Sequence, residues 1–203
     1  CYFYLVLPNK PTMKKLLLIL LFLPLISFGQ LGEYYSSQGH LKTKGLTVQV
    51  RKPLGFDQME ADRPNIVQKW VKDGTDNSKF VTFSILVKYL PEEAQGFSKN
   101  EWTQYLKYES GISEMVEESN ELGKAENEKY VKLDNYPGLF FEGYAESQRL
   151  DFPVRLYYYR IMVFDDKYIV IISMQSPVKS VLESNNRLFT LLSNSIIFPD
   201  QYR

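Results

Sequence analysis

The segment Tyr157-Tyr158-Tyr159, flanked by Arg155 and Arg160, is the densest group of side chains able to recognise a partner. In an extended strand Tyr157 and Tyr159 point to one side and Tyr158 to the other. An open tyrosine face beside guanidinium groups would stack a sugar or grip a protein surface, because each ring joins a large apolar area to a polar tip. The reading preferred over that face is that these rings fill the two layers between a sheet and its covering helices. Trp70 and Trp102 pose the same choice, and for both the expected use is core packing.

Groups suited to catalysis are sparse. Glu114, Glu117, Glu118 and Glu121 recur at i, i+3, i+4 and i+7, which puts four carboxylates on one helical face. A helical stripe cannot wrap a cation as a calcium loop does, so a solvated face is expected. Asp165-Asp166 would pair two carboxylates, but Lys167 follows and the triplet reads as a hairpin turn. His40 stands alone beside Gly39 in a polar stretch, and a solvated loop side chain is expected there rather than a catalytic base. Arg63-Pro64-Asn65 reads as a local hydrogen-bonding corner. There is no GxGxxG or GxxxxGK[ST] phosphate loop and no GxSxG nucleophile elbow. One Cys and one His exclude a cysteine-rich zinc site and a multi-histidine centre. No catalytic residue, no metal ligand and no cofactor is expected.

The elements that must hold these residues follow from periodicity. Residues 79–90, KFVTFSILVKYL, alternate with period two and carry Val81, Phe83, Ile85, Val87 and Tyr89 on one face, which predicts a half-buried strand. Shorter strands are expected at residues 47–50 and 66–71. Ser98-Lys99-Asn100-Glu101 has the form of a capping box, with Trp102, Tyr105 and Leu106 on one stripe of the helix that follows. That helix is expected to end by Gly111, and a second helical piece is expected over residues 113–122. Asn135-Tyr136-Pro137-Gly138 reads as a turn. Residues 139–149 and 154–164 predict two long strands, and 168–174 a third, nearly all apolar and therefore central. Ser176-Pro177 suits an N-cap followed by Pro, opening a last helix that runs to about Asn194. Val81, Phe83, Ile85, Val170, Ile172, Leu182 and Phe189 are expected in the core. Short links between long strands favour antiparallel pairing, so the class is α+β, a mainly antiparallel sheet covered by helices.

The chain has 203 residues, 24 basic and 24 acidic. A formal net charge of zero gives no electrostatic case for nucleic acid. Met13-Lys14-Lys15, the apolar run over residues 16–28, and the small residues Ser27 and Gly29 together have the form of a signal peptide cut before Gln30. The run is shorter than the roughly 20 residues a spanning helix needs, and Pro24 interrupts it. Residues 1–12 are expected to be upstream sequence. Residues 30–45 are expected to be a flexible arm, and residues 46–203 a single α+β domain. Residues 1–29 carry Lys10, Lys14, Lys15 and no acid, so 21 bases remain against 24 acids, a net charge of −3. The one cysteine, Cys1, leaves with them, so the rest is indifferent to redox compartment.

The layout of residues 46–198 resembles the PsbP-like superfamily. The resemblance lies in Val50-Arg51-Lys52-Pro53-Leu54-Gly55-Phe56 after an opening strand, in Tyr136-Pro137-Gly138 before Phe140-Phe141-Glu142-Gly143, and in a closing helix that ends in Ser195-Ile196-Ile197-Phe198. It implies an α/β/α sandwich around an antiparallel sheet and no shared active site, because such proteins bind different partners. Two functions then stand against each other. One is an exported non-catalytic binding or accessory protein of the bacterial cell envelope, periplasmic or extracellular, whose partner is a protein or envelope component and not nucleic acid. The other is an exported hydrolase with a carboxylate-based site.

Overall fold

A computed structural model describes residues 29–61, 63–74, 79–108, 124–149 and 152–202. The helical piece expected over residues 113–122, its glutamate stripe and the expected signal peptide lie outside the described residues.

Seven strands form one sheet. In chain order they are β3 (Asp57–Met59), β4 (Ile66–Lys72), β5 (Val81–Tyr89), β6 (Lys124–Leu133), β7 (Tyr136–Arg149), β8 (Phe152–Phe164) and β9 (Tyr168–Ser176). Their spatial order is β3-β4-β5-β9-β8-β7-β6, and every neighbouring pair is antiparallel. The apolar run of β9 therefore lies in the middle, with Ile172 opposite Ile85 on one side and Ile161 on the other.

Alternation along the strands makes two cores. One face carries Phe83, Ile85, Tyr159, Ile161, Val170 and Ile172. It is covered by two helices, α2 (Lys179–Ser184) and α3 (Asn186–Asn194), through Leu182, Leu188, Phe189 and Leu192. The opposite face carries Leu139, Phe141, Tyr158, Met162, Phe164 and Ile171. It is covered by α1 (Lys99–Lys107) through Trp102 and Leu106. Helices on both faces of an antiparallel sheet make the helix-covered α+β arrangement that the pattern predicts, and the sandwich that the resemblance implies. All seven residues expected in the core are buried, as are Trp70 and Trp102.

Several local expectations need correction. Residues 30–45 are not a loose arm: β1 (Leu31–Ser36) pairs antiparallel with β2 (Gln49–Pro53), and Leu41–Thr43 form a short 3-10 turn. This ribbon packs on the α2/α3 side, with Val48 and Val50 fully buried. β2 starts two residues later than the strand expected at Thr47, and Gln49 exchanges 2.9 Å backbone hydrogen bonds with Ile197. Of the turn expected at Asn135-Tyr136-Pro137-Gly138 only Asn135 takes part: the turn is Asp134-Asn135, whose positive φ values of 45° and 69° suit a two-residue hairpin. Gly138 is already in β7, and a Cβ there would meet the Met162 carbonyl oxygen at 2.7 Å, so the strands can pair this closely only with glycine. Ser176 ends β9 instead of capping the helix at Pro177, and its Oγ accepts from the Val178 amide. The last helix breaks at Asn185 into α2 and α3.

The box at Ser98 forms as expected. The Glu101 amide donates to Ser98 Oγ at 3.3 Å and the Ser98 amide to Glu101 Oε2 at 2.7 Å, which draws the Glu101 carboxyl below its usual range. α1 ends at Lys107, earlier than Gly111.

Candidate functional site

The structure divides the Tyr157–Tyr159 segment among three environments. Tyr158 is buried under α1 and Tyr159 under α3, where its ring lies 5.7 Å from Phe189. Burial pushes both phenols up. Arg160 is buried too, its guanidinium 3.9 Å from the Tyr158 ring and one terminal nitrogen without a hydrogen bond; burial pushes its pKa down. These three residues are packing, not an open face. Tyr157 is half-buried and Arg155 is exposed. Arg155 lies 4.3 Å over the Tyr144 ring and donates to Glu146 at 2.8 Å. Tyr144 pairs across strands with Tyr157, ring centres 6.3 Å apart. Of the expected surface only Arg155 and Tyr157 remain accessible, and the structure sets Tyr144 and Glu146, which the sequence reading did not name, beside them in one strip.

That strip continues toward a cavity of about 540 Å³ between α3 and the edge of the sheet. Two residues before Tyr144 on the same face is Glu142, and before it Phe140; both line the cavity. Its floor is carbon: Val131, Leu133, Phe140, Ile161 and Phe189. Above it α3 lays down Asn186, Thr190, Ser193 and Asn194, spaced i, i+4, i+7 and i+8 on one stripe. β6 adds Asn127, Lys129 and Lys132. A register shift between Glu126 and Lys129, with Asn127 at φ 52°, turns that edge and lets Asn127 Nδ2 donate to Glu142 Oε1. Lys129 Nζ stands 4.7 Å from the Phe140 ring centre. The cavity lining is thus apolar below, with amides, hydroxyls and charges of both signs at the rim.

The sequence reading missed this site because it read α2 and α3 as one helix and followed only their apolar face. The stripe from Asn186 to Asn194 was there to be read. Its meaning depended on what β6 and β7 place opposite, which no local pattern contains.

The other candidates take quieter roles. His40 is half-buried and its Nδ1 accepts from the Lys42 amide at 3.2 Å, capping the 3-10 turn rather than standing free in a loop. The Arg63–Asn65 corner receives Lys42 Nζ on the Arg63 carbonyl at 3.2 Å, and the Asn65 carbonyl accepts from the Val87 amide at 2.9 Å. Asp165 and Asp166 form the β8–β9 turn. Burial raises the Asp165 carboxyl pKa, while its carbonyl accepts from Trp102 Nε1 at 3.2 Å. Among the described residues no three His, Cys, Asp or Glu side chains converge on a metal position.

Comparison with family models and with curated proteins finds no match. Among solved structures the chain is similar to cyanobacterial PsbP (CyanoP) from Synechocystis sp., at 11% identity, TM-score 0.47, over 82% of this chain and 91% of that one. LpqN of Mycobacterium tuberculosis, described as involved in cell envelope biogenesis, aligns at 9% identity, TM-score 0.49, over 94% and 98%. The Saccharomyces cerevisiae Ran-binding protein Mog1p aligns at 11% identity, TM-score 0.47, over 84% and 98%. At these identities the likeness concerns the fold alone.

Proposed function

We propose that the protein is an exported, non-catalytic binding or accessory protein of the bacterial cell envelope, and that it meets its partner on the sheet face beside α3. The cavity carries this reading. Its carbon floor and amide rim are the means of recognition, an apolar anchor ringed by a few orienting polar groups. A carboxylate hydrolase needs two close carboxyls with separated pKa values. Among the described lining residues one carboxylate is present, Glu142, and it is engaged by Asn127. Export rests on the basic start at Met13, the apolar run and the small residues before Gln30.

Tyr157 and Arg155 give the test. Arg155 is exposed and Tyr157 is half-buried against the rim of the core, so the loss of either should leave the fold intact while removing contact area from the strip. In Tyr157→Ala and Arg155→Ala, partner recovery from the native envelope is expected to fall about tenfold, a change of about 1.4 kcal/mol, with the thermal midpoint nearly unchanged. Undiminished recovery would move the partner to another surface. Reproducible turnover by the purified protein, abolished by Glu142→Gln in a folded variant, would overturn the non-catalytic reading.

A further inference from the structure

Ser193 sets the cavity apart from a gap in packing. It is 3% exposed, it lines the cavity, and its Oγ makes no hydrogen bond. Serine and threonine inside helices commonly return the hydroxyl to a carbonyl one turn back. Thr190 does so, donating to the Asn186 carbonyl at 3.1 Å, whereas Ser193 does not. A buried hydroxyl without a partner destabilises the fold. Such a cost persists at sites where a ligand supplies the missing bond.

The surroundings define that ligand. Lys129 and Lys132 share the rim with Glu142, so charges of both signs, with one base in excess, border a mostly uncharged lining. Asn127, Asn186 and Asn194 each carry one amide, with the donor and acceptor that a peptide unit also carries. The floor beneath accepts an apolar side chain. Beyond the cavity, the face from Phe140 to Glu146 extends about 20 Å at strand rise and bears Tyr144, Tyr157 and Arg155. A compact molecule filling the cavity would leave this strip bare, while an extended chain covers both.

We propose that the cavity and the strip bind an extended segment of a partner polypeptide, with one apolar side chain on the Phe140–Ile161–Phe189 floor and an adjacent peptide carbonyl accepting from the Ser193 hydroxyl. This assigns a ligand class to the binding role proposed above and rests on it.

The probe is N-acetyl-phenylalaninamide, a neutral molecule with two amide groups and one apolar side chain, titrated into the purified protein and followed by backbone amide NMR. Saturable shifts are expected at Phe140, Ile161 and Ser193. Ethylbenzene, which has the ring and no amide, serves as the control. Ser193→Ala is expected to weaken the probe about fivefold, the worth of one neutral hydrogen bond, and to leave ethylbenzene binding unchanged. The same substitution is expected to raise the thermal midpoint of the unliganded protein, because it removes an unpartnered buried hydroxyl. No saturable binding at the cavity, equal probe affinity in Ser193→Ala, or a lowered midpoint would overturn the proposal. If the probe fails while Tyr157→Ala still loses the partner, the binding role stands and its ligand is of another class. If partner recovery is also undiminished, both readings fall.

Discussion

Tyr136 shows how one side chain ties the fold to its solvent conditions. Its ring is buried, 4.8 Å from Phe198, with Lys99 Nζ 3.6 Å above it. Burial first, then the charges of Asp165, Asp134, Asp200 and Asp166, push its phenol up to about 12. An acid whose folded pKa lies above its unfolded value of about 10 stabilises the fold below pH 10 and ceases to do so as pH rises through the folded pKa. The denaturation midpoint should therefore fall between pH 10 and pH 12, and Tyr136→Phe should reduce that fall while keeping the ring contacts. A residual slope is expected, because Tyr35, Tyr158, Tyr159 and Tyr168 are also pushed up. An identical slope in Tyr136→Phe would contradict the assignment. Nothing local marks Tyr136 in the sequence; it reads there as part of a turn. The four aspartates that act on it come from three separate segments, so its environment exists only after folding. Asp134 is similar. Its Oδ2 accepts from the Phe198 amide at 2.6 Å and from Gln201 Nε2 at 2.6 Å, and its Oδ1 accepts from the Tyr202 hydroxyl, fixing the C-terminal segment to a hairpin 64 residues earlier.

Elements were more legible than residues because each carries its own periodicity. The alternation of β5, the apolar run of β9 and the capping box of α1 are local facts, and all three form where expected. Failure came where tertiary pairing decided. LGEYYS has no strong alternation, and it becomes β1 because β2 offers it an edge. The Asn185 break was invisible for the opposite reason, since an apolar stripe can be drawn straight through it. Centrality, by contrast, could be read from composition and carries an energetic consequence. Ile172 is fully buried and lies between Ile85 and Ile161, with strands on both sides to hold the space open. Ile172→Ala is expected to lower unfolding stability by about 2–5 kcal/mol, because flanking strands cannot collapse into the cavity. Urea denaturation measures this, and a loss below about 1 kcal/mol would mean that the site relaxes.

At the scale of the whole molecule, the sheet is guarded at its edges. β3 is three residues, all exposed. β6 carries the register shift and two lysines near its end, Lys129 and Lys132. Edges of this kind discourage strand addition, which agrees with the proposed placement of the partner on the α3 face. The chemistry of the chain as a whole suits export. Cys1 is its only cysteine and precedes the proposed cut, so the processed protein would hold no thiol and no disulfide. In the proposed leader, the basic start, the apolar run broken by Pro24 and the small residues Ser27 and Gly29 suit a cut before Gln30. Protein recovered from the native envelope is therefore expected to have an intact mass that begins at Gln30. Its thermal midpoint should be the same with and without reductant, because no sulfur–sulfur bond contributes to it. Retention of the apolar run would refute cleavage. A reductant-sensitive midpoint would show that Cys1 is kept and paired with another chain, since this one has no second cysteine.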